Sequence, residues 1–303
     1  MHMRPITQYT QNLPVRHIGV VLISIAATAG VCVGFLSPAY RDCVVREDIM
    51  PPGSTLCIEL DGISNSEKFF CTYNDKEYHF YPNGKNSCSG LIGIPVDEQP
   101  GSRHIGLAYK GFWRSLSWFP ITIFIKSKQF KNEHISFSRK KNKLYARPEV
   151  SDDVHALHQT YGYESKNRLR RGPCIWPLEG RITSPFGAHR IYNHRYDDPR
   201  YHTGIDIAAA EGTAVKATNS GRVILAQDLV LPGKTVVIDH GQGVLSIYKH
   251  LATISVQEGA MIAQGTVIGT VGSSGLATGA HLHWEMRVHA IPVNPIQWIE
   301  HEL

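Results

Sequence analysis

Turn residues cut this chain so often that most of it leaves room only for short strands. Over residues 48–140 the runs Leu56-Cys57-Ile58-Glu59-Leu60, Lys68-Phe69-Phe70-Cys71-Thr72-Tyr73 and Ile121-Thr122-Ile123-Phe124-Ile125 are rich in β-branched and aromatic side chains, as strands are. Pro52-Gly53, Asn83-Gly84 and Pro100-Gly101 supply turns between them. Spaced turns without a helical period predict a small β-sandwich. From Pro173 to Leu303 the chain is glycine-rich and again strand-like, with a weak internal echo. Glu211-Gly212 followed by Gly221 returns as Glu258-Gly259 followed by Gly265, which reads as one hairpin unit used twice. A biotinyl or lipoyl carrier domain uses similar hairpins, but neither echo has the exposed lysine it would need at the tip. Residues 148–172 differ. Ser151 before Asp152 and Asp153 is a helix start, with Val154, Leu157 and His158 on one face, and the segment reads as a helical linker closed by Pro173.

The expected class is mostly β, preceded by one membrane-spanning helix. Residues 18–36 form an uninterrupted uncharged, mostly apolar run, close to the roughly 20 residues that span a bilayer and longer than the roughly 7–15 of a signal peptide's apolar region. The leader, residues 1–17, carries Arg4 and Arg16, which places it in the cytoplasm and everything after Leu36 outside. Ser37-Pro38-Ala39 offers the alternative, a cleavage site that would release the chain to the periplasm. Export suits the cysteines: Cys43, Cys57, Cys71, Cys88 and Cys174 follow the run. Disulfides are expected there, with Cys57, Cys71 and Cys88 the nearest partners. No CxxC spacing suggests a zinc cluster.

The chain has 303 residues, 42% hydrophobic and 19% charged, enough for two domains with cores of their own. A net charge of +5 is too mild to imply a polyanion, so no nucleic-acid partner is expected. The basic stretch Arg139-Lys140-Lys141-Asn142-Lys143 reads first as a solvated loop and second as a contact for an anionic polymer.

More than half of the 16 histidines lie from His189 onward. In His281-Leu282-His283 the two imidazoles face the same side of a strand. His202 and Asp206 are four apart, about 13 Å on an extended strand. A turn, for which Gly204 is suited, must bring them together for one ion. Two histidines and one carboxylate form the usual catalytic zinc set, which leaves a fourth position for water. The glutamate of an HExxH helix is absent, so a histidine must handle protons. His250 and His281 are available.

The order HxxxD at His202 and Asp206, then His250 in Lys249-His250-Leu251, then HLHWE at 281–285, follows Ile182-Thr183-Ser184-Pro185-Phe186-Gly187. Together with Val293-Asn294-Pro295 this closely resembles the M23 peptidases of the lysostaphin and LytM type, over about Trp176 to Trp298. The resemblance makes residues 173–303 an antiparallel β peptidase domain acting on bacterial peptidoglycan stem peptides. It implies His202, Asp206 and His283 as ligands of Zn2+, with His250 and His281 orienting and deprotonating water or steadying the oxyanion. Tyr192 and Asn193 would be substrate-binding residues, and His240 a hairpin or groove-edge residue. Ala280 and Ala188-His189-Arg190 depart from the family pattern, and residues 194–201 make a long polar rim, so substrate preference is where this chain should differ. The region before it, with Leu91-Ile92-Gly93-Ile94-Pro95, resembles the immunoglobulin-like domain of some exported members and could cover the groove. The expected activity is a D,D-endopeptidase anchored to the inner membrane through residues 18–36, with its catalytic domain in the periplasm. A D,D-carboxypeptidase, a non-catalytic activator of other wall hydrolases and a structural envelope protein are the alternatives. Oligomeric state is not legible.

Overall fold

A computed structural model describes residues 20–23, 42–46, 48–63, 66–110, 116–193 and 200–303. The described residues divide into two compact units, one up to residue 128 and one from residue 129 to residue 303. The leader 1–17 and most of the apolar run lie outside the described residues. Only Val20–Ile23 of that run is described, and it is a strand paired antiparallel with Asp42–Arg46, where a helix was expected. No helix among the described residues is long and apolar enough to cross a membrane.

The first unit is two five-stranded sheets. Thr55–Asp61 and Ser87–Gly93 lie centrally in one, Gly101–Lys110 and Leu116–Ile125 in the other. Their inward side chains, including Leu56, Ile58 and Leu60 against Ile105, Leu107 and Ile123, make one core, the two-layer β arrangement that the turn spacing predicted. Cys88 sits in this core as a free thiol, and burial, with Asp61 nearby, pushes it up to about 12. The disulfide expected for Cys88 is therefore corrected: its thiol is buried in apolar packing. Cys174 in the second unit is likewise a buried free thiol.

The second unit is built on a long mixed-length sheet in the order Arg181–Ser184, Ile205–Ala208, His281–Val288, Val244–Ile254, Gly233–Asp239, Gly221–Leu229, Met261–Ile262. The echoed segments do not form two separate hairpins. Ala214–Lys216 pairs with Val267–Val271, and Gly221–Leu229 with Met261–Ile262, so the two echoed segments pair with each other. Residues 129–140, grouped with the β-sandwich on sequence, belong to this second unit. Asn132–Ile135 pairs in parallel with His189–Tyr192.

The expected linker is an integral helix, Glu149–Tyr161. Ser151 lies within it, not at its cap. Its buried positions are Leu157 and Tyr161, four apart, packed on Leu225, Val237, Leu245 and Ile247 of the sheet; Val154 and His158 are exposed. Burying a leucine and a tyrosine there contributes about 1.5–3 kcal/mol each. Asp153 fixes the helix further by accepting from the Val230 backbone N–H at 2.6 Å.

His240 lies in the hairpin between Gly233–Asp239 and Val244–Ile254, as one of the two expectations had it, and is fully buried, not at a groove edge. Its Nδ1–H donates to the Ser220 carbonyl at 2.8 Å, and its Nε2 meets the Ser246 hydroxyl at 2.7 Å. Burial lowers its pKa from 6.5 to about 4. The unfolded chain therefore binds a proton here between pH 6.5 and 4 that the folded chain excludes, so stability is full above pH 6.5 and falls as pH drops through that window. The shift corresponds to roughly 3 kcal/mol. Urea unfolding from pH 7 to pH 4 is expected to show that loss in the natural chain and a flatter slope in His240→Asn.

Candidate metal centre

Register places the first pieces. Ile205–Ala208 and His281–Val288 are antiparallel neighbours in which Asp206 stands directly opposite His283, and both side chains rise from one face. His202 lies four residues before Asp206, outside the strand, and returns through Gly204. A Cβ on Gly204 would stand 2.3 Å from the Trp284 carbonyl oxygen. Only glycine lets the chain pass that close to the neighbouring strand, which is how residues four apart reach one point.

The three side chains converge while buried, at 2%, 8% and 6% exposure for His202, Asp206 and His283. His202 Nε2 is 3.1 Å from Asp206 Oδ1 and 3.0 Å from His283 Nδ1, and His283 Nδ1 is 2.8 Å from Asp206 Oδ1. Their other nitrogens are committed. His202 Nδ1 lies 2.9 Å from the Pro185 carbonyl, which can only accept, so it carries the proton. His283 Nε2–H donates to Glu285 Oε1 at 2.8 Å. Three lone pairs thus face one another about 3 Å apart, an arrangement that a shared cation satisfies and acceptors alone do not. Two imidazoles and one carboxylate fit zinc, with a position left open.

Burial would raise the Asp206 carboxyl, but the polar groups that face it, His202 and His283 foremost, hold it well below the usual range. Arg190 donates to its Oδ2, and the same guanidinium nitrogen reaches the Ser184 hydroxyl at 2.8 Å. Burial lowers His202, keeping it neutral as a ligand must be.

Glu285 is completely buried. Its Oε1 accepts from His283, Thr203 and Lys249, and its Oε2 from Arg287 at 3.0 Å. Burial alone would raise this carboxyl, yet Lys249 and Arg287 hold it well below its ordinary value. Arg287 in turn lies 3.7 Å over the Tyr161 ring of the Glu149–Tyr161 helix. Lys249 is paired in register with His283. Glu285, Lys249, Arg190 and Ser184 were missed on sequence. Alternation would have placed Glu285 beside His283, since positions two apart share a strand face; nothing local marks the others.

His250 and His281 stand at the same cleft, their ring centroids 5.0 Å apart, with His250 6.2 Å from His283. His250 has φ of 64°, a left-handed conformation uncommon outside glycine and strained. Its backbone N–H donates to Pro232 at 3.0 Å and its Nδ1–H to the Ser274 carbonyl at 2.9 Å. Burial, reinforced by His281 and His283, keeps its pKa well below 6.5. His281 Nδ1–H donates to Gly279 at 2.8 Å, and its Nε2 lies 3.8 Å from Asp206 Oδ1. Both rings therefore keep an Nε2 lone pair available.

A cleft of about 310 Å³ opens over these residues, walled by Tyr192, Arg200, Tyr201, Leu276 and, from upstream, Ile135, Phe137 and Tyr145. Tyr192 stacks on Phe137 with centroids 5.9 Å apart. Asn193 has its carboxamide committed: it accepts from the Phe137 N–H and donates to Asn142, both at 3.0 Å, so it clips the 135–142 segment in place.

The sequence model of Peptidase family M23 matches residues 200–295. A DD-carboxypeptidase/endopeptidase, Mpg, of Neisseria meningitidis is 45% identical over 118 residues, 38% of this chain and 26% of that protein. The murein hydrolase activator EnvC of Escherichia coli is 36% identical over 129 residues, 43% of this chain and 29% of that protein. The chain therefore spans less than a third of the length of either relative. A solved structure described as a candidate M23 peptidase of Pseudomonas aeruginosa aligns over 84% of this chain and 96% of that one, with a TM-score of 0.60 at 24% identity, a likeness of fold.

Proposed function

The chain carries a peptidase family M23 domain, and from that premise we propose that it is a zinc-dependent peptidoglycan endopeptidase hydrolysing peptide cross-links, a D,D-endopeptidase of the bacterial wall. The observation that carries this reading is the convergence of three committed donor atoms on His202, Asp206 and His283 at the floor of an open cleft. A protein that only activates other hydrolases needs neither that donor set nor two further histidines beside it. The name of the Neisseria relative joins carboxypeptidase and endopeptidase, and the same residues would serve either, so a D,D-carboxypeptidase is the second reading.

His202 Nε2, Asp206 Oδ1 and His283 Nδ1 would hold the ion. When bound, zinc lowers the pKa of its water to about 7 and polarises the scissile carbonyl. The chain's residues do the rest. Arg190 and Glu285 fix the ligand orientations, and the aromatic walls align an extended peptide. At their Nε2 atoms His250 and His281 divide two duties: a lone pair takes the proton of the attacking water, and the ring that steadies the oxyanion does so once its own Nε2 carries a proton. A peptidoglycan substrate would place the catalytic unit in the periplasm, and the apolar run at residues 18–36 supports export.

Incubating the zinc-loaded full chain with defined cross-linked peptidoglycan is expected to release un-cross-linked muropeptides, identified by mass spectrometry, and chelation to stop it. Loss of terminal D-alanine alone would favour the carboxypeptidase. No product from protein with stoichiometric zinc would sink the enzymatic reading.

A further inference from the structure

The basic stretch expected to be a solvated loop is a short helix, Arg139–Asn142, capped by Ser138, and one of its lysines reaches back to the site. Lys141 Nζ donates to the carbonyls of Ser273 at 3.0 Å and Gly275 at 2.5 Å. These two carbonyls flank the one on Ser274 that accepts from His250 Nδ1. We propose that Lys141 is a positioning residue for His250, acting through the Ser273–Gly275 turn, and that the upstream segment carrying it is a working part of the hydrolytic site. This rests on the hydrolase reading above.

The rest of the turn is tied to the domain's own strands. Ser274 Oγ donates to Leu251 at 2.7 Å and accepts from the Lys234 N–H at 2.9 Å. Leu276 N–H donates to Leu231 at 2.7 Å. Gly275 packs so closely that a Cβ would lie 2.3 Å from the Gly233 nitrogen. Those contacts hold the turn's side chain and flanks. The ammonium engages the Ser273–Ser274 and Gly275–Leu276 peptides, which flank the peptide carrying the Ser274 carbonyl, and its point charge favours carbonyl oxygens aligned toward it.

Lys141 is itself held. Asn142 donates to the Phe137 carbonyl at 3.1 Å and accepts from Asn193, while Asn132–Ile135 is paired with His189–Tyr192. The path from segment to imidazole is thus continuous: strand pairing, Asn193 clip, Lys141, turn, His250. It begins well upstream of residues 200–295, where the family likeness lies. Because His250 has a strained backbone, the ring's aim depends on what fixes its Nδ1–H.

The test uses the full chain with Lys141→Met, Lys141→Gln and Lys141→Arg. Turnover of a cross-linked muropeptide is measured, together with zinc stoichiometry, thermal midpoint and the proton resonance of His250 Nδ1–H in protein carrying 15N-histidine. Lys141→Met is expected to lower kcat about tenfold or more, in the range of lost orienting contacts, with KM and zinc content unchanged. The His250 Nδ1–H resonance should move upfield and exchange faster, and Lys141→Arg should restore both in part. Unchanged kcat and resonance in Lys141→Met would overturn the proposal. If Lys141→Met does not fold, the Gln and Arg variants decide: kcat must follow the resonance, and either one moving alone overturns it. Absence of hydrolysis by the unaltered chain would defeat the functional reading instead, leaving the resonance to judge the link to His250.

Discussion

Asp206→Asn is expected to cost more than the roughly 100-fold in metal affinity or activity that loss of an orienting partner produces. The amide keeps the shape of the side chain, but with its oxygen at the Oδ1 position its NH2 meets the Arg190 guanidinium donor to donor, so the change removes the charge and that hydrogen bond together. Oδ1 is the atom both histidine donors approach within 3.1 Å, and an amide oxygen there is a much weaker ligand for zinc. The variant should remain folded by circular dichroism while a competition titration shows weakened zinc binding and muropeptide release disappears. Retained hydrolysis would remove Asp206 from the ligand set.

Glu285→Ala is expected to destabilise the protein by about 3–5 kcal/mol, the usual consequence of removing one partner from a buried charge network. Lys249 and Arg287 would be left without their carboxylate, and His283 would lose the acceptor that fixes its tautomer. Urea unfolding reads the first effect and zinc titration the second. Glu285→Gln separates them. It offers His283 an oxygen of similar position but gives Lys249 and Arg287 no charge, so it should recover zinc affinity better than stability. Equal recovery of both would mean that Glu285 acts on the metal only through folding.

The parts legible in sequence were those with local causes. Alternation put His281 and His283 on one face, and glycine between His202 and Asp206 signalled the turn that unites them. The family resemblance then assigned roles. What the sequence withheld depends on pairing between distant segments. Arg190 reaches Asp206 only because strands of two different sheets come together, and Lys141 reaches the turn behind His250 across more than a hundred residues. The helix at 149–161 was foreseen but not its buried face, because Leu157 and Tyr161 are selected by the sheet beneath them, whereas Val154 has nothing to pack against. The echo misled for a related reason: repeated glycines fix where strands turn, not which strand each one joins.

The direct pairing of Asp206 with His283 ties metallation to the correctness of the sheet. A slip of one residue between those strands would send one ligand to the opposite side, so a misaligned chain cannot assemble the three donors. Zinc should therefore select the properly registered chain from a refolding mixture, and any ion bound stabilises only that species. An insertion of a single residue inside either strand would silence the site even where every ligand is retained, whereas loops away from these strands can lengthen freely. Ligand identity in a related chain is thus an incomplete sign of activity unless the spacing within both strands is kept as well.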